Sequence, residues 1–400
     1  MPLTAIQVSH YKSLTNVAFN DLGAVTVLVG ANAVGKSNVI DALRFLRDAI
    51  ADGLDHAISS RGGIEVIREY SPYKPFDIRF RAEYFTENQE FGNLLGHYEL
   101  VIRSLQKGNY RVEREEAAWH EIEAESPFDK ESDLADQDRS VVQHTFTRDA
   151  EGGMIVDGVD GEDVLPPDLL AISSRRSLLW NLPPLVLMLR RCRFSALYPR
   201  TLREPSRPET DTALREDGSN WASVLKALKK TERNRRSFER ILERMRLLLP
   251  GLQDVQVRGI GGYLVPQFLV KDHEGAKSHF FDPLQLSDGT LRVFGILLAL
   301  YQRPLPLMLA LEEPEQAIHP GAIAILAEAF KEVSSETQII LTSHSPHLVD
   351  YFDPAEIRVV SMKQGETIVG QIRKNQLESI KRRLLSAGEI MSAEGLQSEA

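Results

Sequence analysis

The sequence has a single cysteine and only three tryptophans, and it has no long apolar run. One cysteine, Cys192, excludes an internal disulfide and suits a reducing compartment, so we expect a cytoplasmic location. The longest apolar run, Leu182–Leu189, holds two prolines and is far too short to cross a bilayer, so we expect no membrane partner. Met1–His10 has the pattern of a strand and lacks the basic start and apolar segment of a secretory signal.

The chain also lacks the positive charge of a general nucleic-acid coat, since its formal net charge is −10. This charge is uneven. Glu113–Asp138 carries eleven acidic residues against two basic ones, and its lack of apolar periodicity predicts a mobile or poorly packed loop. Lys226–Arg246 carries nine basic residues and three acidic ones. That surplus fits a solvated helix face, or a surface for nucleic-acid phosphates or an acidic partner.

Residues 30–37 contain Gly30-x-x-x-x-Gly35-Lys36-Ser37, the pattern of a phosphate-binding loop. A buried-strand run precedes it and a helix-period run follows it, which is the setting this loop requires. Glycines let the backbone N–H groups turn toward phosphate oxygens, and the N-terminus of the following helix adds positive potential. We expect Lys36 to reach the outer phosphates and the Ser37 hydroxyl to bind magnesium. The sequence therefore predicts a protein that binds a nucleoside triphosphate.

Far downstream, the short apolar strand Leu307–Leu311 runs into Glu312-Glu313-Pro314-Glu315. An acid at the tip of a buried strand next to a phosphate loop can hold the magnesium shell, and we assign this role to Glu312. The next acid, Glu313, can polarise the attacking water as a general base. The alternative is a surface acid cluster that follows a core strand.

The sequence Leu286-Ser287-Asp288-Gly289-Thr290, here called the signature turn, opens an apolar helix. Helix starts often carry such residues as caps, but a helix N-terminus also binds anions. One chain does not need two anion sites for one phosphate, so we expect the signature turn to meet a triphosphate held by a second copy.

His344 follows the apolar strand Thr337–Thr342, which we expect beside the acid strand. From there its imidazole would contact the terminal phosphate. A hydrogen-bonded structural histidine is the alternative.

Together and in this order, the four motifs resemble the ABC-type ATPases of the SMC/RecF/OLD group, over about residues 1–110 and 255–360. The phrase Glu312-Glu313-Pro314-Glu315-x-x-Ile318-His319-Pro320 is most similar to OLD-type and related phage-defence ATPases. The resemblance implies an α/β fold, a P-loop NTPase of ABC-ATPase type, with a mixed sheet, an antiparallel β lobe and a helical insertion. It also implies ATP, Mg²⁺ and an ATP-sandwich homodimer that joins Ser287 and Gly289 of one copy to the phosphates on Lys36 of the other.

The predicted site residues follow from these motifs. Those expected to bind nucleotide are Gly30, Asn32, Gly35, Lys36, Ser37, Asn38, Ser287 and Gly289. Those expected to act in catalysis are Lys36, Glu312, Glu313 and His344, with Ser37 and Glu312 as metal ligands. Ala33 departs from the family, which often has glycine there, and we expect it to keep a negative φ.

We expect an N-terminal ATPase lobe at residues 1–165, a helical insertion at 166–250, a C-terminal ATPase lobe at 251–375 and a polar tail at 376–400. Within the insertion, Pro183-Pro184 must interrupt any helix over Leu178–Arg191. The helix Arg233–Leu248 would present its basic face to DNA through Arg233, Arg235, Arg236 and Arg240.

The predicted function is that of a magnesium-dependent ATPase that serves as the sensor or motor subunit of a DNA-related system, with anti-phage defence as the leading role. OLD proteins continue into a Toprim nuclease domain, whereas 56 residues follow His344 here, so we expect a separate, nuclease-type effector protein. Two alternatives stay open: an ATP-gated scaffold that hydrolyses weakly, and a DNA-repair ATPase similar to RecF.

Overall fold

The computed structural model describes residues 3–71, 75–88, 92–121, 143–161, 164–173, 184–210, 213–272 and 277–399. In these ranges the strands form three sheets, and the helices cover the central one. This mixed α/β architecture confirms the predicted fold class.

An antiparallel sheet forms the β lobe. Its strands are β1 (Ala5–Tyr11), β2 (Leu14–Phe19), β4 (Ile78–Asn88), β5 (Gly92–Ser104), β6 (Tyr110–Glu121), β7 (Gln143–Arg148), β8 (Met154–Val156) and β9 (Val159–Asp160). Their spatial order is β2-β1-β4-β5-β6-β7-β8-β9. In β1, Ile6 and Val8 are buried while Gln7 is exposed, which is the alternation of a strand with one face on the core.

The central sheet carries the phosphate loop. Its strands are β3 (Val25–Val29), β10 (Cys192–Ser195), β14 (Met308–Glu312), β15 (Gln338–Ser343), β16 (Ile357–Lys363), β17 (Glu366–Ile372) and β18 (Ser398–Glu399). The order is β10-β14-β15-β3-β16-β17-β18, with parallel pairing from β10 to β16. β3 and β15 are buried along their whole length, as expected for strands covered on both faces. On one side of β3 lies β15, and the acid strand β14 lies beyond β15, so β14 is not a direct neighbour of β3.

A third, antiparallel sheet consists of β11 (Leu252–Ile260), β12 (Tyr263–Lys271) and β13 (Ser278–Phe281). The helices of the described ranges are α1 (Lys36–Ala51), α2 (Leu54–Ser59), α3 (Ile64–Ile67), α4 (Pro184–Arg190), α5 (Pro199–Arg203), α6 (Trp221–Leu228), α7 (Glu232–Leu248), α8 (Asp288–Tyr301), α9 (Pro320–Val333), α10 (Pro346–Val349), α11 (Lys374–Lys381) and α12 (Ala387–Ala393). Within those ranges, no helix has the length and apolar character needed to cross a membrane.

Two hydrophobic cores lie on opposite faces of the central sheet. One joins α1 to the β lobe, and the other joins α6, α7, α8 and α9 to the third sheet. Alternate residues of β3 serve both, because Leu28 packs in the first core and Val27 and Val29 pack in the second. The phosphate loop therefore begins at the point where both cores meet.

Three sequence predictions differ from the structure. Residues 113–121 belong to the interior strand β6 rather than to a loop, and the rest of that predicted loop, 122–137, lies outside the described residues. The expected helical insertion is not wholly helical, because β10 pairs with β14 at the edge of the central sheet. The region after α10 contributes strands β16 and β17, which the sequence patterns did not predict.

Candidate functional site

The phosphate loop joins the end of β3 to the first residue of α1. Gly35 precedes α1 with φ 101°, a left-handed conformation that glycine adopts without strain. A Cβ added at Gly30 would lie 2.1 Å from the carbonyl oxygen of Val360, so no side chain fits there. Our expectation of a negative φ at Ala33 is wrong, since its φ is 63°. The loop closes by holding an alanine in the left-handed region, at a cost of about 1–2 kcal/mol.

Lys36 is 6% exposed, and its Nζ donates to the carbonyl oxygens of Gly30 and Ala31, each at 2.8 Å. Burial lowers the pKa of Lys36, while the charges of Glu313 and Glu315 act in the opposite direction. The cation of the loop therefore lies in the electrostatic field of the acids that follow β14.

Side chains from distant segments brace the loop from behind. Asn38 Nδ2 donates to Ser13 Oγ at 2.7 Å, and Ser13 Oγ lies 2.7 Å from Thr367 Oγ1, which donates to the carbonyl oxygen of Val34 at 3.0 Å. Since each hydroxyl has one proton, this is a directed chain from Asn38 to Val34. Asn38 thus contacts the bracing hydroxyls, while Asn32 and Ser37 are exposed on the loop itself. Sequence reasoning missed Ser13 and Thr367, because neither belongs to a motif.

The two predicted acids, Glu312 and Glu313, make different contacts at the end of β14. Glu312 ends the strand, and its carboxylate accepts a hydrogen bond from Arg44 Nη2 at 3.4 Å. Glu313 has φ 45°, a rare value for a residue other than glycine. Its N–H donates to the carbonyl and the hydroxyl of Thr342, each at 3.1 Å, and its carbonyl accepts from Arg292 Nη2 at 2.9 Å. Strained backbone that is held in this way is typical of functional positions.

His344 is the first residue beyond β15. Its Nδ1 lies 3.2 Å from Glu313 Oε1 and 4.0 Å from Glu315 Oε1. The adjacency of the acid strand and the histidine strand, predicted from the sequence, is confirmed by the parallel pairing of β14 with β15. Adjacent parallel strands end at the same edge, and this is why residues far apart in sequence meet there.

The signature turn lies elsewhere on the surface. Ser287 caps α8, and its Oγ accepts from the N–H of Thr290 at 3.1 Å. Ser287 and Gly289 line a cavity of about 620 Å³, whose other walls come from the end of α7 and from residues 317–322. Among the residues that the structure describes, none from the phosphate loop lines this cavity. Ser287 and Gly289 therefore face a cavity that their own phosphate loop does not line.

A family model described as "AAA domain, putative AbiEii toxin, Type IV TA system" matches residues 25–350. The match contains the phosphate loop, the signature turn, the acid strand and His344. The chain belongs to this AAA family. No curated protein sequence matches it.

Solved structures of SMC heads share the fold of this AAA-family chain. An SMC head with an extended coiled coil, bound to the C-terminal domain of ScpA and derived from Pyrococcus furiosus, matches 96% of this chain and 100% of its own, with TM-score 0.55 and 12% identity. An SmcHead bound to the C-winged helix domain of ScpA matches 95% of this chain and 100% of its own, with TM-score 0.51 and 13% identity. The fold is therefore that of a P-loop ATPase of the ABC/AAA type.

Oxygen ligands at the sheet edge suit magnesium. The exposed hydroxyl of Ser37 and the partly exposed carboxylate of Glu312 are hard donors of the kind that Mg²⁺ prefers. Within the described ranges, no three His, Cys, Asp or Glu side chains cluster as a metal site. In nucleotide sites Mg²⁺ commonly takes one or two protein carboxylates and completes its shell with water and substrate phosphates.

The predicted DNA contacts lie on α7. Arg240 is paired with Glu332 at 3.0 Å. All four predicted residues are exposed: Arg233, Arg235, Arg236 and Arg240. Arg303 lies beside this face, since its Nε donates to Ser237 Oγ of α7 at 2.9 Å. Burial lowers the pKa of Arg303, the charge of Glu336 acts against this shift, and the charges of Arg233 and Arg240 lower the pKa further. Sequence reasoning missed Arg303, which no pattern connects to the helix.

Proposed function

We propose that this AAA-family chain is a magnesium-dependent ATPase that dimerises on ATP and acts as the sensor or motor subunit of a DNA-related defence system. The observation that carries the proposal is the meeting of Lys36, Glu313 and His344 at one edge of the central sheet, with Glu313 and His344 3.2 Å apart. The family match and the fold support an ATPase, because a phosphate loop followed by an acid at a strand end is the core of P-loop hydrolysis.

Each residue has a role in this proposal. Lys36 exchanges its bonds to the loop carbonyls for the outer phosphate oxygens of ATP. Ser37 and Glu312 hold Mg²⁺, which neutralises charge on the phosphates. Glu313 takes the proton of the attacking water, and His344, beside that carboxylate, contacts the terminal phosphate.

Dimerisation is supported by the position of the signature turn. Ser287 and Gly289 open onto a cavity that their own phosphate loop does not line. A helix N-terminus attracts anions, and a second copy that places its nucleotide there would complete both sites.

A defence role is supported by two observations. The description of the matched family reads "putative AbiEii toxin, Type IV TA system". The acid phrase from Glu312 to Pro320 resembles that of OLD-type defence ATPases. The exposed arginines of α7 supply a surface for DNA phosphates.

The second candidate function is an ATP-gated scaffold that hydrolyses weakly and recruits an effector. The contact between Arg44 Nη2 and the Glu312 carboxylate favours it, because an arginine on the proposed metal ligand competes with Mg²⁺. Steady-state turnover with and without DNA separates the two functions. The scaffold predicts slow turnover under both conditions.

The Glu313→Gln variant tests the leading proposal. Loss of the base should lower the hydrolysis rate by about 10²–10⁴-fold, while ATP still binds and traps a dimer that light scattering detects. Glu336→Gln, which neutralises an exposed acid after α9, should behave as wild type. Hydrolysis at the normal rate in Glu313→Gln would show that the base is another residue.

A further inference from the structure

Glu315 is a buried carboxylate that the proposed mechanism leaves without a role. It is 7% exposed. Its Oε1 accepts two hydrogen bonds, from Ser343 Oγ at 2.6 Å and from the N–H of His344 at 3.1 Å. Its Oε2 has no hydrogen-bond partner in the described part of the chain. Both bonds at Oε1 hold the segment where β15 ends.

A second buried glutamate shows what a structural carboxylate looks like in this fold. Glu115 of β6 is fully buried, and both of its oxygens are paired: Oε1 accepts from Tyr98 and the N–H of Ile172, each at 3.0 Å, and Oε2 accepts from the N–H of Ala171 at 2.6 Å. A buried acceptor without a partner destabilises a fold, so stability does not account for Glu315.

The surroundings of Glu315 belong to the candidate site. Burial lowers the pKa of Arg292, and the charge of Glu315 is the strongest influence that acts against this shift. The same carboxylate also acts on Lys36. Arg292 in turn donates to the carbonyl of Glu313 at 2.9 Å. The charge of Glu315 therefore acts on two cations of the candidate site, Arg292 and Lys36, together with the charge of Glu313.

We propose that Glu315 is a positioning residue for ATP hydrolysis. By binding Ser343 and the backbone of His344 through one oxygen, it fixes the exit of β15, and the His344 ring then lies 3.2 Å from the Glu313 carboxylate. This inference rests on the proposed ATPase function. The Oε1 atom positions this segment by accepting both hydrogen bonds. A glutamine at position 315 keeps such an acceptor, whereas an alanine has none.

The test compares Glu315→Ala with Glu315→Gln by steady-state ATP hydrolysis. Glu315→Ala should lower kcat by about 100-fold, the loss that a displacement of about 1 Å at a reacting group causes, with KM within about threefold of wild type. Glu315→Gln keeps an acceptor for both donors and should stay within about fivefold of the wild-type kcat. A kcat in Glu315→Gln as low as in Glu315→Ala, or a wild-type kcat in both, overturns the proposal.

A readout that does not depend on turnover covers the case in which hydrolysis is slow. In ¹³C-histidine-labelled protein, the ring signal of His344, assigned with His344→Gln, should move and broaden in Glu315→Ala, while the signals of the other histidines stay in place and show that the variant is folded. In Glu315→Gln the His344 signal should stay single and sharp. An unchanged signal in Glu315→Ala overturns the proposal.

Matched variants separate this inference from the ATPase proposal. Glu115→Gln alters a buried carboxylate far from the site, so it should lower the melting temperature and leave kcat unchanged. Lys36→Ala should abolish hydrolysis. Wild-type activity in Lys36→Ala would refute the ATPase assignment itself, whereas wild-type activity in Glu315→Ala alone would refute only the role of Glu315.

Discussion

The phosphate-loop half and the signature half of the candidate site are built in different ways. The loop is braced by its own chain: Lys36 is 6% exposed, although Asn32 and Ser37 are exposed, and Thr367 and Ser13 hold the loop through hydrogen bonds from segments that are remote in sequence. The signature turn is exposed, and the Ser287 hydroxyl bonds to the hydroxyl and the N–H of its near neighbour Thr290.

This difference suggests that the phosphate loop and the signature turn have separate roles: the loop binds nucleotide, and the signature turn completes the site. A loop that is already braced loses little conformational entropy when it binds phosphate, so we expect a single chain to bind nucleotide. The signature turn opens onto the cavity next to Leu247, an apolar side chain that is 66% exposed at the end of α7. In the proposed dimer, the surface of a second copy fills this cavity, and ATP then links the two copies.

The strongest test of the comparison is Ser287→Arg. An arginine fills the cavity mouth and should prevent the second copy from closing, so hydrolysis should fall by about 100-fold while a single chain still binds ATP. Turnover and titration with a fluorescent ATP analogue measure the two effects separately, and light scattering of Glu313→Gln with and without Ser287→Arg measures dimerisation.

Ser386→Arg is the matched control for that variant. Ser386 also caps a helix, α12, by accepting from a backbone N–H three residues on, at 3.1 Å, but it lies away from the cavity. It loses the same kind of cap and should keep hydrolysis. Intact hydrolysis and dimerisation in Ser287→Arg would mean that the signature half does not act in trans.

A weaker effect is expected from the basic face of α7, whose C-terminal end borders the same cavity. Replacing Arg233, Arg235 and Arg236 by glutamine should weaken DNA binding roughly tenfold and reduce the salt slope by about 0.9 for each phosphate that the variant no longer neutralises. Fluorescence anisotropy over a salt series measures both. Hydrolysis without DNA should not change, since these side chains are remote from the loop.

The control neutralises another exposed basic run, Lys381, Arg382 and Arg383, which begins at the last residue of α11. Equal loss of DNA affinity in both triple variants would indicate a general charge effect. If the α7 variant keeps its DNA affinity, the basic residues of α7 form only a solvated helix face, which is the alternative interpretation.

The sequence predicted that the acids and the histidine lie side by side, because these residues belong to local motifs. The phosphate loop follows β3, the acids lie at the end of β14, and the histidine follows β15. Each of these strands is a buried run, and parallel strands bring their carboxyl ends to one edge of the sheet. The order of the strands in the central sheet was harder to predict from the sequence. Nothing local shows that β15 lies between β14 and β3, because that order depends on packing of the whole sheet.

The sequence could not predict contacts that only the complete fold creates. Acid-rich composition predicted a loop over residues 113–121, yet Glu115 is paired there by the backbone of Ala171 and Ile172, more than fifty residues away. Thr367 likewise reaches the phosphate loop only because β17 lies beside β16, which pairs with β3. Composition describes the average behaviour of side chains and does not reveal such partners.

The smallest effect is expected at Thr367, and it tests whether the bracing hydrogen bonds organise the phosphate loop. Thr367→Val keeps the shape of the side chain but leaves the carbonyl of Val34 without its donor and Ser13 without its acceptor. Net loss of these bonds is worth about 1 kcal/mol, so the KM for ATP should rise about fivefold with kcat nearly unchanged. Thr86→Val, at the same 3% exposure but in the β lobe, should leave KM unchanged. If both variants bind ATP equally well, the hydroxyl chain does not organise the loop, and the contrast between the two halves rests on exposure alone.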